Sequence, residues 1–376
     1  MTLNPCSLPS DWNQLRSAPE AEQLAAFHQA LVLARPEDVP GGFRAFAADL
    51  MDRGLISMAQ YVAVFAGHAL TCLTPAGPGV FRDMADDSEA ADLAAIYSRA
   101  KYGSIGDIRH LAWQVIDYLD AQLDDPLSHW ARLFSHARDH GDNVVMMTTG
   151  WRNVPSTANV LYDIVVEEIN VTLAHKGLPT IINVKLPRIA PPCENYASLS
   201  TEERERVNLV QDHVIPAENF YGWSGVHVIF GDDVLVTGST ADKVFHHSMR
   251  AGAKSFQALY PVAVDPRIAL SDATIEERLN MTQIGRGLGD NLAQLLSDPQ
   301  YQPILRTLRL VFGAENHAAL EAFLPRVPAG NWLRLYRSAL GNEFLRQDGC
   351  VPSLALVRRH LVEAGLLRAD GRVVRR

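Results

Sequence analysis

The stretch "VHVIFGDDVLVTGSTADKV", from Val226 to Val244, constrains the fold more than any other part of the chain. Up to Phe230 its residues are apolar or β-branched apart from His227, the pattern of a strand buried on both faces, which requires a parallel sheet covered by helices on each side. Asp232 and Asp233 are then expected at the C-terminal end of that strand. Thr237-Gly238-Ser239-Thr240 follows as a small polar turn, and a helix can begin directly behind it, with Ser239 or Thr240 as its cap and Val244 and Met249 among its apolar positions. A strand, a small loop and a helix start gather unsatisfied backbone N–H groups and the positive end of the helix dipole at one point, which suits an anion. The loop fits a phosphate, and the acidic pair just before it fits sugar hydroxyls.

Elsewhere the same alternation recurs. "DNVVMMTTG" reads as a strand, "GWRNVPS" as a turn, and a helix opens at Thr157 with Leu161, Val165, Ile169 and Leu173 on one face and Gly177 closing it. "TIINVKL" is a further strand, followed by a long polar segment from Pro187 to about Asn219, and "SFQALYPVAV" is the strand after the opening motif. The fold class expected is α/β, with an open, mainly parallel sheet. Ahead of it, "SEAADLAAIYSRAKYGSIGDIRHLAWQVIDYLDAQL" carries Ile108, Leu111, Ala112, Val115, Ile116 and Leu119 at helical spacing. From about Pro19 to Asp86, Ala/Leu-rich stretches broken by "RPEDVPGG" and "TPAGPG" read as helical. The chain beyond Pro266 is helical again until Asp370-Gly371 in "LLRADGRVVRR" sets up a terminal hairpin. The expected organisation is a helical N-terminal region over 1–90, an α/β core over 91–268 and a helical C-terminal region over 269–376.

The net charge of −9 argues against a nucleic-acid surface spread over the molecule and leaves room only for a local basic cleft. Cys6, Cys72, Cys193 and Cys350 are far apart and form no CxxC pair, so neither a zinc knuckle nor a disulfide framework is indicated and a reducing cytoplasm is the expected location. The apolar run "YVAVFAGHALTCL" is too short and too broken for a bilayer, and no charged-then-apolar leader pattern opens the sequence. His246-His247 are adjacent on a helix and share no face, so they are not read as a metal pair. "GRGLGD" lacks a preceding strand and the spacing of a dinucleotide loop.

"FGDDVLVTGST" resembles the signature loop of the type I phosphoribosyltransferases: a hydrophobic strand, two acids, three mostly apolar residues, then Thr-Gly-x-Thr. "SRAKYGSIGDIRHLA" and "YASLSTEERERVN" resemble the Lys-Tyr-Gly and Leu-Ser-x-x-Glu-Arg segments of the ComF-like branch, in the correct order. The resemblance spans roughly Ala91 to Asp265. Gly231 departs from it, since the family more often has an aliphatic residue there, and an effect on strand-end packing is expected.

The resemblance implies transfer of ribose 5-phosphate from phosphoribosyl pyrophosphate to a small-molecule acceptor, with release of pyrophosphate. Val236, Thr237, Gly238, Ser239 and Thr240 would hold the 5′-phosphate, and Asp232 and Asp233 would lie near the ribose 2′- and 3′-hydroxyls without supporting the core. Magnesium would bridge those hydroxyls and the pyrophosphate, with no dedicated protein metal cluster. Arg152, in the turn after the first core strand, occupies the pyrophosphate-loop position and joins Asp232 and Asp233 as the implied catalytic set. Lys185 and Arg188 would add positive charge, and Arg204 lies in the segment that folds over the donor in relatives. Lys101 is either part of that chemistry or paired with a neighbouring acid on its helix. No general base is evident. Left open are a non-catalytic sensor of phosphoribosyl pyrophosphate or a nucleotide, a homodimer and, last, a nucleic-acid-processing factor suggested by the tail residues Arg372, Arg375 and Arg376.

Overall fold

The computed structural model describes residues 12–33, 41–56, 67–150, 153–187, 223–265, 268–269, 272 and 274–374. Three N-terminal helices, α1 (Trp12–Leu15), α2 (Glu20–Leu33) and α3 (Gly41–Asp52), pack around Trp12, Phe27, Phe43 and Phe46. The strands β1 (Gly67–Gly77), β2 (Val80–Asp83), β3 (Asn143–Gly150), β4 (Ile181–Pro187), β5 (Val226–Gly231), β6 (Val234–Leu235) and β7 (Ser255–Val264) form one sheet in the order β2-β1-β7-β5-β3-β4, with β6 also beside β7. Every neighbouring pair is parallel except β1–β2.

β1 and β2 correct the sequence reading, which placed these residues in a helical region. The stretch from Gly67 to Leu73 pairs along Ala258–Val264 of β7, so partners supplied by the sheet outweigh its Ala/Leu content. The breakers in "TPAGPG" end no helix. They make the turn of an antiparallel return, with Gly79 at φ +70° and a bulge between Pro75 and Gly77.

Side chains alternate across the sheet, as the pleat requires. Val144, Met146 and Ile229 enter one core beneath α4 (Ala91–Lys101), α5 (Ile105–Asp124), α6 (His129–His140) and α7 (Thr157–His175). Val145, Met147, Val228 and Phe230 enter a second core with Phe245 and Val244 of α8 (Ser239–Arg250). Two helices, α4 and α5, stand where one was read. The chain breaks at Gly103 (φ +100°), and Ser104 caps α5 by accepting from the Asp107 N–H.

The C-terminal region has its own core around Trp332, Phe312, Phe344 and Leu354, built by α10 (Asp290–Ser297), α11 (Leu305–Phe312), α12 (His317–Phe323), α13 (Ala329–Gly341) and α14 (Val351–Glu363), whereas α9 (Ile275–Asn280) sends Ile275 and Leu279 into the core beneath the sheet. A Leu367–Val373 bridge closes the terminal hairpin, with Gly371 at φ +86°. "KYG" is the seam between this region and the sheet. A Cβ on Gly103 would lie 2.1 Å from the Gln302 carbonyl oxygen, and Thr307 Oγ1 donates to the Tyr102 carbonyl at 2.7 Å. Among the described residues no helix is long and apolar enough to cross a membrane.

Candidate functional site

β5 and β6 pair with β7 in a single register, Gly231 opposite Leu259 and Val234 opposite Val262. Asp232 and Asp233 therefore occupy a break within one strand edge. They follow the last residue of β5, as expected, and pairing to β7 resumes just beyond them at Val234. Tyr162 on α7 holds the break. Its hydroxyl donates to the Leu259 carbonyl and, at 3.3 Å, to that of Asp232. Burial, and after it the charge of Asp232, keeps this phenol far above its ordinary pKa, so it stays a neutral donor. The departure at Gly231 has its reason here. A Cβ at that position would lie 2.5 Å from the Tyr162 ring, so only glycine admits it.

The two carboxylates diverge. Asp233 is 4% exposed and accepts from Lys101 Nζ at 2.6 Å, while half-buried Asp232 accepts the Asp233 N–H at 3.0 Å through Oδ1. Lys101 also lies 3.9 Å from Glu276, which Arg306 approaches at 3.9 Å while its other nitrogen meets Glu277 at 3.3 Å. The partner acid of Lys101 is thus 132 residues away rather than on its own helix. Tyr97 lies beneath the lysine, with the ammonium 5.5 Å from its ring centre. Its hydroxyl is buried without a hydrogen-bond partner among the described residues, and burial, then the charges of Asp233 and Glu276, hold its pKa well above the usual range. Asp233 is consequently part of the packed interior, which overturns the expectation that neither carboxylate supports the core.

Past β6, Gly238 is the cap residue of α8, in the left-handed conformation at φ 73° and ψ −1°, and among the described residues no side chain caps the helix. This corrects the assignment of the cap to Ser239 or Thr240, which are the first two residues of the helix itself. Glycine wins because only it takes positive φ there without strain. Gly238 is buried, Val236, Thr237 and Thr240 are half-buried, and Val236 packs on the core beneath the sheet.

Lys185 stands on β4 level with Thr148, exposed, and pairs with Asp163 at 3.2 Å; it does not join the Asp233 cluster. Arg152, Arg188 and Arg204 lie outside the described residues. The turn after β3 is nonetheless anchored at its far side, where the Asn153 and Val154 N–H groups both donate to Asn342 Oδ1 at 3.1 Å. Sequence reasoning missed Tyr97, Tyr162, Glu276, Arg306 and Asn342 as parts of this environment. Only the glycine at 231, a vacancy that some large side chain has to fill, carried a signal for Tyr162. No protein-family model matches the chain, and a search of curated proteins finds no similar one.

Proposed function

We propose that the chain is a magnesium-dependent phosphoribosyltransferase that moves ribose 5-phosphate from phosphoribosyl pyrophosphate to a small-molecule acceptor. The observation that carries this reading is the uncapped start of α8 behind left-handed Gly238, set on the strand edge that Asp232 and Asp233 interrupt. N–H groups at a helix start without a capping side chain are donors for a phosphate. Asp232, half-buried beside this turn, is the ribose contact in our reading, and Asp233 acts through its Lys101 pair to hold the break open.

The residues fit magnesium in one respect. The ion takes one or two carboxylates and completes its shell with substrate oxygens and water. Asp232 is the carboxylate for that role, since Asp233 is committed to Lys101. Bound there with the donor, magnesium would neutralise charge on the departing pyrophosphate. Arg152, two residues beyond the end of β3, is the proposed electrostatic partner of the same leaving group. The Asn342 contacts to Asn153 and Val154 would steady that turn.

Thermal unfolding with and without phosphoribosyl pyrophosphate and magnesium tests the pocket. A ligand bound only by the native state at a hundredfold excess over its dissociation constant adds about 2.7 kcal/mol. No shift at millimolar donor sinks the proposal. Asp232→Asn should weaken donor binding in a folded protein, since a hydrogen bond to a charged acceptor contributes roughly 1.5–3 kcal/mol. Incubation with donor, magnesium and a metabolite extract should then release pyrophosphate and yield a new ribosylated mass.

A second reading, a non-catalytic sensor, is favoured by one observation. The chain Asp233–Lys101–Glu276–Arg306 runs from the candidate pocket into the C-terminal helices, a route by which occupancy could reach them. Arg152→Ala separates the two. In a transferase it lowers kcat by about tenfold or more, roughly 1.4 kcal/mol of barrier, with a smaller effect on donor affinity. In a sensor it weakens binding alone, and no acceptor yields pyrophosphate.

A further inference from the structure

A second cluster of ionisable groups sits where β3, β5 and β7 begin, at the other end of β5 from Asp232. Five residues of strand put the two places about 17 Å apart. Asp142 immediately precedes β3, His227 is the second residue of β5, Lys254 precedes β7, and His136 lies near the end of α6. One ligand atom from each of His136, Asp142 and His227 falls within 4.8 Å of the others.

The geometry is close to that of a metal site. His227 Nε2 is 3.3 Å from Asp142 Oδ2, and two ligands on a tetrahedral zinc-like ion, each about 2.0 Å from it, stand about 3.3 Å apart. The separation of those two groups already matches that of two ligands on one ion. The other ring nitrogen of His227, Nδ1, is 2.7 Å from Ser255 Oγ, the outer contact that fixes a ligating imidazole. His136 is exposed, lies edge-on to His227 at 5.5 Å between ring centres and stacks on His140 at 4.0 Å, so a side-chain rotation closes the set.

One group competes for the carboxylate. Lys254 Nζ donates to both oxygens of Asp142, at 2.6 Å each, and its side chain is 40% exposed. A lysine so exposed can swing into solvent. It supplies to Asp142 the positive charge that an ion would otherwise bring.

We propose that His136, Asp142 and His227 form a binding site for a zinc-type divalent transition ion, closed by the Lys254 ammonium when no ion is bound. Two imidazoles and one carboxylate suit zinc, cobalt or nickel rather than magnesium, which prefers an all-oxygen shell. Three protein ligands leave a fourth position for water. This site is independent of the phosphoribosyltransferase reading, since it shares no residue with the Asp232 region.

The test is titration of the untagged, chelator-stripped full chain with Co²⁺, followed by visible absorption and calorimetry, with Zn²⁺ as competitor. We expect one saturable site, tetrahedral-type absorption, displacement by Zn²⁺ and none by millimolar Mg²⁺. His136→Ala, a change at an exposed position, should lose at least tenfold in affinity while its circular dichroism is unchanged. Lys254→Met should bind at least tenfold more tightly. The proposal is overturned if wild type and Lys254→Met both lack saturable binding, if His136→Ala binds as wild type does, or if Mg²⁺ displaces Co²⁺. Unchanged or weaker binding in Lys254→Met overturns the closing role of the lysine.

Discussion

Both ends of β5 carry a buried aspartate bound to a lysine at 2.6 Å, yet the two pairs are built for different purposes. At the C-terminal end the side chains of Asp233 and Lys101 are 6% and 13% exposed, and Glu276 and Tyr97 enclose the ammonium. At the N-terminal end Asp142 is equally buried at 6%, but Lys254 reaches it from solvent. The distance and the chemistry are the same, so the difference lies in what surrounds the cation. Glu276 of α9 and Tyr97 of α4 enclose the first lysine, whereas the second stands at the start of β7 with its side chain 40% exposed. A sealed pair locks elements together, whereas an open one can exchange its cation.

The largest expected effect comes from breaking the sealed pair. Lys101→Met leaves the Asp233 carboxylate buried without its partner, a change that costs about 3–5 kcal/mol where such pairs have been cut. Urea denaturation should show that loss. Adding Asp233→Asn to it should recover a good part, because the uncompensated charge is then gone. If the single change alters the unfolding midpoint no more than a surface substitution does, the lysine is not a lock and the comparison fails.

The glycines that bracket β5 give the next test. Gly231→Ala forces a methyl against the Tyr162 ring at 2.5 Å, and overpacking of this kind costs about 1–3 kcal/mol. Gly225→Ala meets only the Asp142 carboxylate at 3.5 Å, an ordinary contact, but its φ of +76° makes an L side chain pay roughly 1–2 kcal/mol in backbone strain. If the chain is the phosphoribosyltransferase proposed above, the first change should also disturb donor binding, since it displaces the tyrosine that holds the strand break, and the second should leave it unaltered. Equal effects of both on donor binding would detach Tyr162 from the pocket.

How much of this could be read in advance follows from the range of the interactions. The buried strands β3, β5 and β7, the edge strand β4 and the helix from Thr157 were legible because their apolar patterns are local. β1 was not, since "HALTCLT" becomes a strand only through the partner that β7 supplies. The Thr-Gly-Ser-Thr turn was legible as a helix start, though the cap went to the wrong residue, because left-handed Gly238 replaces a side-chain cap with backbone geometry. The Lys101–Asp233 and Asp142–His227 contacts span 132 and 85 residues, and no spacing rule reaches across such separations. Asp142 and Asp233 look alike in the sequence, each beside another polar residue at a strand end. Only the packing shows which lysine each one meets.

The smallest effect should come from Lys254→Met in the absence of metal. This removes a partner from Asp142 just as Lys101→Met removes one from Asp233, but the consequences differ. His227 Nε2 remains 3.3 Å from the same carboxylate and can donate to it, and water enters where an exposed lysine has left. The cost of the lost pair is then set by solvent, which screens an exposed cation strongly. We expect its unfolding midpoint to move less than that of either glycine variant and far less than that of Lys101→Met. Combining Lys254→Met with His227→Gln sharpens the point, since the second change weakens the backup partner: the loss in the double variant should exceed the sum of the two single losses. Additive losses would show that His227 does not compensate, and that Lys254 holds Asp142 in the same way that Lys101 holds Asp233.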